Sequence, residues 1–381
     1  MTSARKSTGP SERSEMEYNP MEELGFVEEK QLIMSCDGIL SRNDFARDLC
    51  ARSIRNGARF FDAVSRYEDL STYALERDET KNHQTMKMII PFLKAFGMTD
   101  HFAYEFAKEN LDIVPGSKGT TSYLRRLLPT FIATSSFEHH MMAMCDSLDF
   151  PMENITCTKV EFDSSENDRQ EDRRLREMAN RIASLRLPKT MYTVTESEFL
   201  DEDDATLVRE LDSIFDDELP EMDAYKAFKD VLAIGSNEKA YALLEIRRKT
   251  SIEFNSTAYI GSGINDYQAL DLVRDSEGLA ISFNGSEYAV RGCNIAVMSS
   301  NTIVLDVLVG EFYNEGIQAV YDMVDNWNRD YLADCKCSDR NLLDRMLETF
   351  PRKLPVVKRV GHRNVKSVIE ESDEYRRKVR R

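Results

Sequence analysis

Three short stretches place polar, reactive side chains where an apolar run stops. Gln31-Leu-Ile-Met-Ser35 ends at Cys36-Asp37-Gly38, Thr130-Phe-Ile-Ala-Thr134 ends at Ser135 and Ser136, and Thr257-Ala-Tyr-Ile-Gly261 runs into Ser262-Gly-Ile-Asn-Asp266. Open α/β sheets collect their ligand-contacting groups at the carboxyl ends of strands, so these stretches are where chemistry is expected first. Each residue also has a plainer use. Thr134 would cap a helix, Asp266 would be an acid favoured by a helix dipole, and Lys239 would be a solvated helix residue. Asn43 and Asp44, just beyond the first stretch, read as caps of the helix that comes next. Cys335-x-Cys337 offers two thiolates to a metal, but no second Cys pair or nearby His completes a tetrahedral set, so the two read as ordinary thiols. His139 and His140 are adjacent and point to different sides of a helix, unlike metal-binding pairs spaced i, i+4, which gives them a structural or surface role. Gly285 serves a turn.

The elements that would position these residues alternate. The strands at 31–35, 130–134 and 257–261 are joined by Leu279-Ala-Ile-Ser-Phe283 and Asn294-Ile-Ala-Val-Met298. Continuous apolar runs of this length, each followed by a helical pattern, predict a parallel sheet buried on both faces. Helices are expected at 116–128, from Phe137, at 226–232, 238–247 and 287–291, from 302 to about 327, and at 339–349. From Asn43 to about Asn110 the spacing is helical throughout, as in Phe45, Leu49, Ile54 and Phe60, which predicts an inserted helical unit. A second insertion, Asp163 to Met222, is strongly charged, with helices near 168–185 and 203–215. No internal repeat is visible. The first 20 residues have almost nothing to bury and are expected to be a disordered leader.

With 381 residues the chain can bury a large core, and two or three compact units are expected. Its seven cysteines have no paired spacing, and no apolar run resembles a signal peptide or a membrane span, which predicts a cytoplasmic protein. The net charge is −17, yet the last 31 residues hold 11 Lys or Arg against 4 Asp or Glu. The acidic remainder repels nucleic acid and anionic membrane. The basic tail reads as a docking segment, for this protein's own acidic face or for a partner.

The three strand ends in this order, with Lys239 between the second and third, resemble the haloacid dehalogenase (HAD) superfamily over roughly residues 31–327. Ile90-Pro-Phe-Leu-Lys-Ala-Phe-Gly97, Thr134-Ser-Ser-Phe-Glu138 and Leu279-Ala-Ile-Ser-Phe-Asn-Gly-Ser-Glu-Tyr-Ala-Val290 look closest to archaeal predicted HAD phosphohydrolases of methanogens. These are sometimes labelled subunit R of an energy-converting hydrogenase. The resemblance implies a Rossmannoid parallel-sheet core at 21–42, 111–162 and 224–330, with a helical cap at 43–110 and an acidic insertion at 163–223. A C-terminal helix at 331–350 and the basic tail at 351–381 would complete the chain.

The same resemblance implies site residues. The family's first motif, Asp-x-Asp-Gly, reads Ser35-Cys36-Asp37-Gly38 here, so Ser35 stands at the nucleophile position and Asp37 at the proton-handling one. The second, a phosphate-contacting hydroxyl, matches Thr134 with Ser135 beside it; the third, a charge-neutralising Lys, matches Lys239. The fourth, Gly-Asp-x-x-x-Asp, reads Gly261-Ser262 through Asp266. Two carboxylates that would hold Mg²⁺ are therefore hydroxyls, leaving Asp37 and Asp266 as weak metal ligands or no metal at all. The expectation is a catalytically impaired protein that binds phosphate, a phosphorylated small molecule or a protein partner through Ser35, Asp37, Gly38, Thr134, Ser135, Lys239, Ser262 and Asp266. Two other readings are an active phosphohydrolase using Asp37 and Asp266, and a structural subunit of a methanogen complex.

Overall fold

A computed structural model describes residues 29–75, 84–166, 168–187 and 202–379. The leader expected at 1–20 lies outside them. Chain order begins with strand β1 (Gln31–Met34) and helices α1 (Phe45–Ser53), α2 (Gly57–Asp69), α3 (Thr85–Ala95), α4 (Asp100–Glu109) and α5 (Ser117–Leu127). Then come β2 (Thr130–Phe137), α6 (Glu138–Leu148), β3 (Ile155–Thr158), α7 (Arg169–Ser184), α8 (Glu202–Asp212), α9 (Asp223–Lys226) and α10 (Ser236–Thr250). The second half contains β4 (Thr257–Gly261), α11 (Tyr267–Asp275), β5 (Leu279–Phe283), α12 (Glu287–Gly292) and β6 (Ile295–Met298). Helices α13 (Ile303–Glu315), α14 (Ile317–Asp325), α15 (Arg329–Asp334) and α16 (Arg340–Thr349) precede β7 (Val356–Arg359) and α17 (Val365–Val379).

The seven strands form one sheet in the order β3-β2-β1-β4-β5-β6-β7, parallel except for β7, which pairs antiparallel with β6. The fold is thus α/β, as the alternating pattern predicts, with the three polar strand ends on adjacent central strands. Successive side chains of a strand face opposite ways. Leu32 and Met34 accordingly join Leu124, Met141 and Leu308 on one side of the sheet, while Ile33 joins Tyr259, Leu243 and Leu270 on the other. Both faces are covered by helices, so all of β1 is buried.

Three departures from the sequence pattern bear on the site. The helix expected at 226–232 is only α9 at 223–226, followed by turns in which Phe228, Lys229 and Val231 bond back three residues rather than four. Strand β2 runs three residues beyond Thr134, and its register with β3 shifts between Ala133 and Phe137. Residues 351–379 of the basic tail supply edge strand β7 and helix α17, whose Val368 and Ile369 are buried against the core.

The two insertions pack together. Phe60, Val64 and Phe92 of the first share a hydrophobic cluster with Leu175, Ile182, Leu207 and Leu211 of the second. The seam also holds a buried bidentate ion pair between Arg66 of α2 and Asp204 of α8, with Nη2–Oδ2 at 2.9 Å. Tyr67 donates across the same seam to Asp212 at 2.6 Å. A buried pair contributes little net stability when intact, but removing one partner strands the other charge and costs about 3–5 kcal/mol. Asp204→Ala should therefore lower unfolding stability by that amount, while Arg66→Met with Asp204→Leu should recover most of it. Urea unfolding of the two variants checks this, and an unchanged midpoint for Asp204→Ala would show that the seam does not depend on the pair.

Candidate functional site

The carboxyl ends of β1, β2 and β4 form the floor of a cavity of about 490 Å³, whose opposite wall comes from the cap helices. Ser35 follows β1 directly and its N–H still bonds Ile260 O on β4 at 2.9 Å, so the hydroxyl is fixed at the central strand seam. Asp37 lies in the turn after it, where Gly38 adopts a positive φ of 83° and its N–H donates to Ser41 O, three residues ahead, at 2.6 Å. A left-handed φ is strained for residues with a Cβ, which accounts for glycine there. Lys239 projects from the first turns of α10.

Lys239 and Asp266 form the centre of the floor, each 2% exposed. Lys239 Nζ donates to Asp266 Oδ1 at 2.7 Å and to Ser35 Oγ at 3.0 Å. Asp266 Oδ1 also accepts from Tyr259 OH at 2.9 Å, and Oδ2 accepts the backbone N–H groups of Ser262 at 2.8 Å and Gly263 at 2.9 Å. A carboxylate offers about four lone-pair positions, and here all four are engaged. Burial by itself would raise the Asp266 pKa, but Lys239 and the two backbone donors outweigh it and hold the carboxyl below its usual range. Gly261 makes this packing feasible, since a Cβ there would lie 2.6 Å from Asp266 Cβ.

This geometry restricts the chemistry. Lys239 Nζ is placed as a donor to both Asp266 Oδ1 and Ser35 Oγ, so it meets the serine as a donor and not as the base that a nucleophilic serine needs. Ser262 Oγ donates to the backbone carbonyl of Asp37 at 2.6 Å, tying the first and fourth motif loops together. Mg²⁺ demands several hard oxygen ligands in near-octahedral array. Asp266 has no acceptor position left and Ser35 is already bonded by Lys239, so these residues do not fit that ion. Among the described residues one trio of potential metal ligands comes within 4.8 Å, namely the Cys36 thiol, the Asp37 carboxylate and the His140 imidazole. Thiol and imidazole are soft partners unsuited to Mg²⁺.

Of the expected ligand-binding residues, Ser35, Asp37, Ser135, Lys239, Ser262 and Asp266 line the cavity, whereas Gly38 and Thr134 do not. Thr134 is fully buried and its Oγ1 accepts the Ser136 N–H at 3.3 Å. Because β2 continues to Phe137 through a register shift, it is Ser135 whose side chain reaches the cavity. Asp44 caps α1 by accepting from Arg47 N and also lines the cavity. Asn43 donates to Asp48 at 2.9 Å. Both histidines are buried and structural: His139 meets Asp100 at 2.9 Å, and His140 Nδ1 meets Ser136 Oγ at 2.8 Å while its ring stacks on Phe45.

Residues that sequence reasoning missed complete the wall. Cap residues Arg47, Asp62, Arg66, Glu68 and Asp69 face the cavity, as do Asp373, Arg376 and Arg377 of α17. Arg47 and Asp62 are joined in a bidentate pair, with Nε–Oδ1 at 2.7 Å. Burial pushes Asp69 up to about 8, so at neutral pH it is largely an uncharged acid. The signal for α17 was present in its i, i+3/i+4 apolar spacing, Val365, Val368 and Ile369, which its charge obscured.

No protein-family model matches the sequence, and no curated protein matches it. Among solved structures, the chain is similar to the gene product AF1437 from Archaeoglobus fulgidus, at 21% identity and a TM-score of 0.72, covering 92% of this chain and 97% of that one. At that identity the likeness establishes a common fold. Remoter likenesses are to a substrate-bound phosphoserine phosphatase complex (TM-score 0.41, 12% identity, 74% of this chain and 98% of that one) and to a HAD family hydrolase from Salmonella enterica serovar Typhi (0.39, 10%, 67% and 62%). Both are too remote to carry a functional inference.

The approach of His140 Nδ1 to Asp37 Oδ1, at 4.0 Å, is not an ion pair, because burial pushes the imidazole down to about 3. The unfolded chain titrates this group near about 6.5. Stability from the neutral ring is therefore complete above that pH and is lost as the pH falls toward 3. His140→Gln should remove this dependence. Between pH 7 and 4.5 the wild type should lose on the order of 2 kcal/mol more than the variant in urea unfolding; equal losses would mean that the ring is protonated in the folded state.

Proposed function

We propose that the chain is a HAD-like protein that holds phosphate or a phosphorylated small molecule between core and cap, and that it does not hydrolyse this ligand through an aspartyl-phosphate intermediate. The reading rests on the Lys239 ammonium, which bridges Ser35 Oγ at 3.0 Å and Asp266 Oδ1 at 2.7 Å on the cavity floor. A lysine between the ends of the first and fourth motif loops, on adjacent parallel strands, is what the HAD resemblance implies for a phosphate site. The hydroxyl at the nucleophile position accepts from Lys239 Nζ at 3.0 Å. Phosphoryl transfer depends on positioning and on charge stabilisation that a metal usually supplies. Positioning groups remain here, while two of the carboxylates that the resemblance implies for a metal are the hydroxyls Ser35 and Ser262.

The cavity, at about 490 Å³, is of the size used for small-molecule ligands, which favours binding over a purely structural subunit, for which a filled pocket is expected. An active phosphohydrolase using Asp37 and Asp266 would need acceptor positions on Asp266 that its four donors already occupy.

Two measurements on the full chain test the reading. In hydrolysis of an aryl phosphate and a panel of phosphometabolites with Mg²⁺, Mn²⁺ or Co²⁺, the wild type should release no phosphate above buffer. In isothermal titration with a chelator present, it should still bind inorganic phosphate. Turnover by the wild type that Asp37→Asn abolishes would make the protein an enzyme and overturn the proposal.

A further inference from the structure

The last helix of the chain is fastened to the rim of the cavity at two levels. Ser372 Oγ donates to Gly285 O at 2.7 Å, beneath which Val368 is fully buried and Ile369 largely so. One turn further on, Arg376 Nη1 donates to the carbonyl of Ser262 at 2.7 Å and to that of Asn284 at 3.1 Å. Ser262 is the residue that stands where the family motif has a metal-binding carboxylate. A fixed guanidinium is thus hydrogen-bonded to the backbone at the metal-ligand position, and it lines the same cavity as Ser35, Asp37 and Lys239.

From this geometry we infer that Arg376, delivered by the C-terminal helix, supplies the positive charge that a divalent cation supplies in an intact HAD motif, so that the site binds a phosphate group without metal. The inference rests on the phosphate-binding reading above and adds the residue responsible. Formal charge supports it. On the core side of the cavity, Arg42 is matched by Asp112 at 3.5 Å, and Lys239, Arg376 and Arg377 balance Asp37, Asp266 and Asp373. Carboxylates at positions 35 and 262 would leave that wall at −2, the deficit that one divalent ion cancels. Serines at both positions remove the deficit, and the tail's arginines take the place of the ion as the nearby cation. Guanidinium suits this use, because its planar donors match phosphate oxygens and it stays charged at any working pH.

The test is titration of inorganic phosphate into the full chain in the presence of chelator, by calorimetry, for the wild type, Arg376→Gln, Arg376→Lys and the Ser35→Asp, Ser262→Asp double variant. Gln keeps N–H donors for the two carbonyls and loses the charge; Lys keeps the charge and loses the fork. The wild type should bind equally with and without added Mg²⁺. Arg376→Gln should bind roughly tenfold or more weakly, Arg376→Lys should retain more of the affinity than Gln, and the double variant should bind only when Mg²⁺ is restored. Phosphate binding by Arg376→Gln equal to wild type overturns the inference and leaves the phosphate reading standing. Absence of phosphate binding by the wild type overturns the reading itself. A phosphomonoester probe run beside inorganic phosphate shows whether the ligand is the free ion or an esterified one.

Discussion

Everything at the floor of the cavity depends on one buried contact, the 2.7 Å pair between Lys239 and Asp266. Neither charge has access to water, so each must be met by the protein, and the arrangement around them is set by that need. Tyr259 and the N–H groups of Ser262 and Gly263 complete the carboxylate, which sets the path of the loop after β4. The ammonium then turns its remaining reach to Ser35, which pins the end of β1. Were Ser35 a carboxylate, one ammonium would face two buried anions, and a further cation would be required. With a hydroxyl in that place the charges close by themselves. The substitution therefore changes the electrostatic demand of the site as well as its nucleophile.

How far this was legible in the sequence depended on how local each signal was. Apolar runs ending in Gly or Ser marked the central strands, and the order of Asp37, Lys239 and Asp266 along those elements marked the floor. Ser135 was named beside Thr134, but which of the two reaches the cavity was not legible, because β2 continues through a register shift against β3, a relation between distant segments. The shared core of the two insertions was hidden for a similar reason. Phe60 and Leu207 each fit an amphipathic helix alone, and nothing in either helix says that they meet. The tail's charge, eleven basic residues in 31, pointed to docking on this protein's own acidic face or on a partner, and did not show that its apolar positions recur at helical spacing and bury against the sheet.

The cap wall repeats the principle that governs the floor. Its cations are largely matched by acids of the two insertions, Arg47 by Asp62 of the cap and Arg66 by Asp204 of the second insertion. Burial raises the pKa of Glu68 and keeps Asp69 largely uncharged at neutral pH. A ligand entering this space therefore meets a cap whose charges are mostly paired or suppressed. The core side differs, since α17 brings its arginines there from outside the strand-and-helix alternation.

That difference gives the site a direction. A phosphate group is stabilised where positive charge is fixed in advance and water is excluded, because donors already in place need no reorganisation when the anion arrives. Lys239 is fixed by Asp266, and Arg376 by two carbonyls, before any ligand is present. Both are anchored to the loops at strand ends, where the backbone is held by the sheet, whereas the cap contributes side chains from helices. On the phosphate-binding proposal, the charged end of a ligand would lie against the core and its remaining part against the cap. Recognition of the anion would then be set by the sheet and the C-terminal helix, and discrimination between ligands by the helical roof.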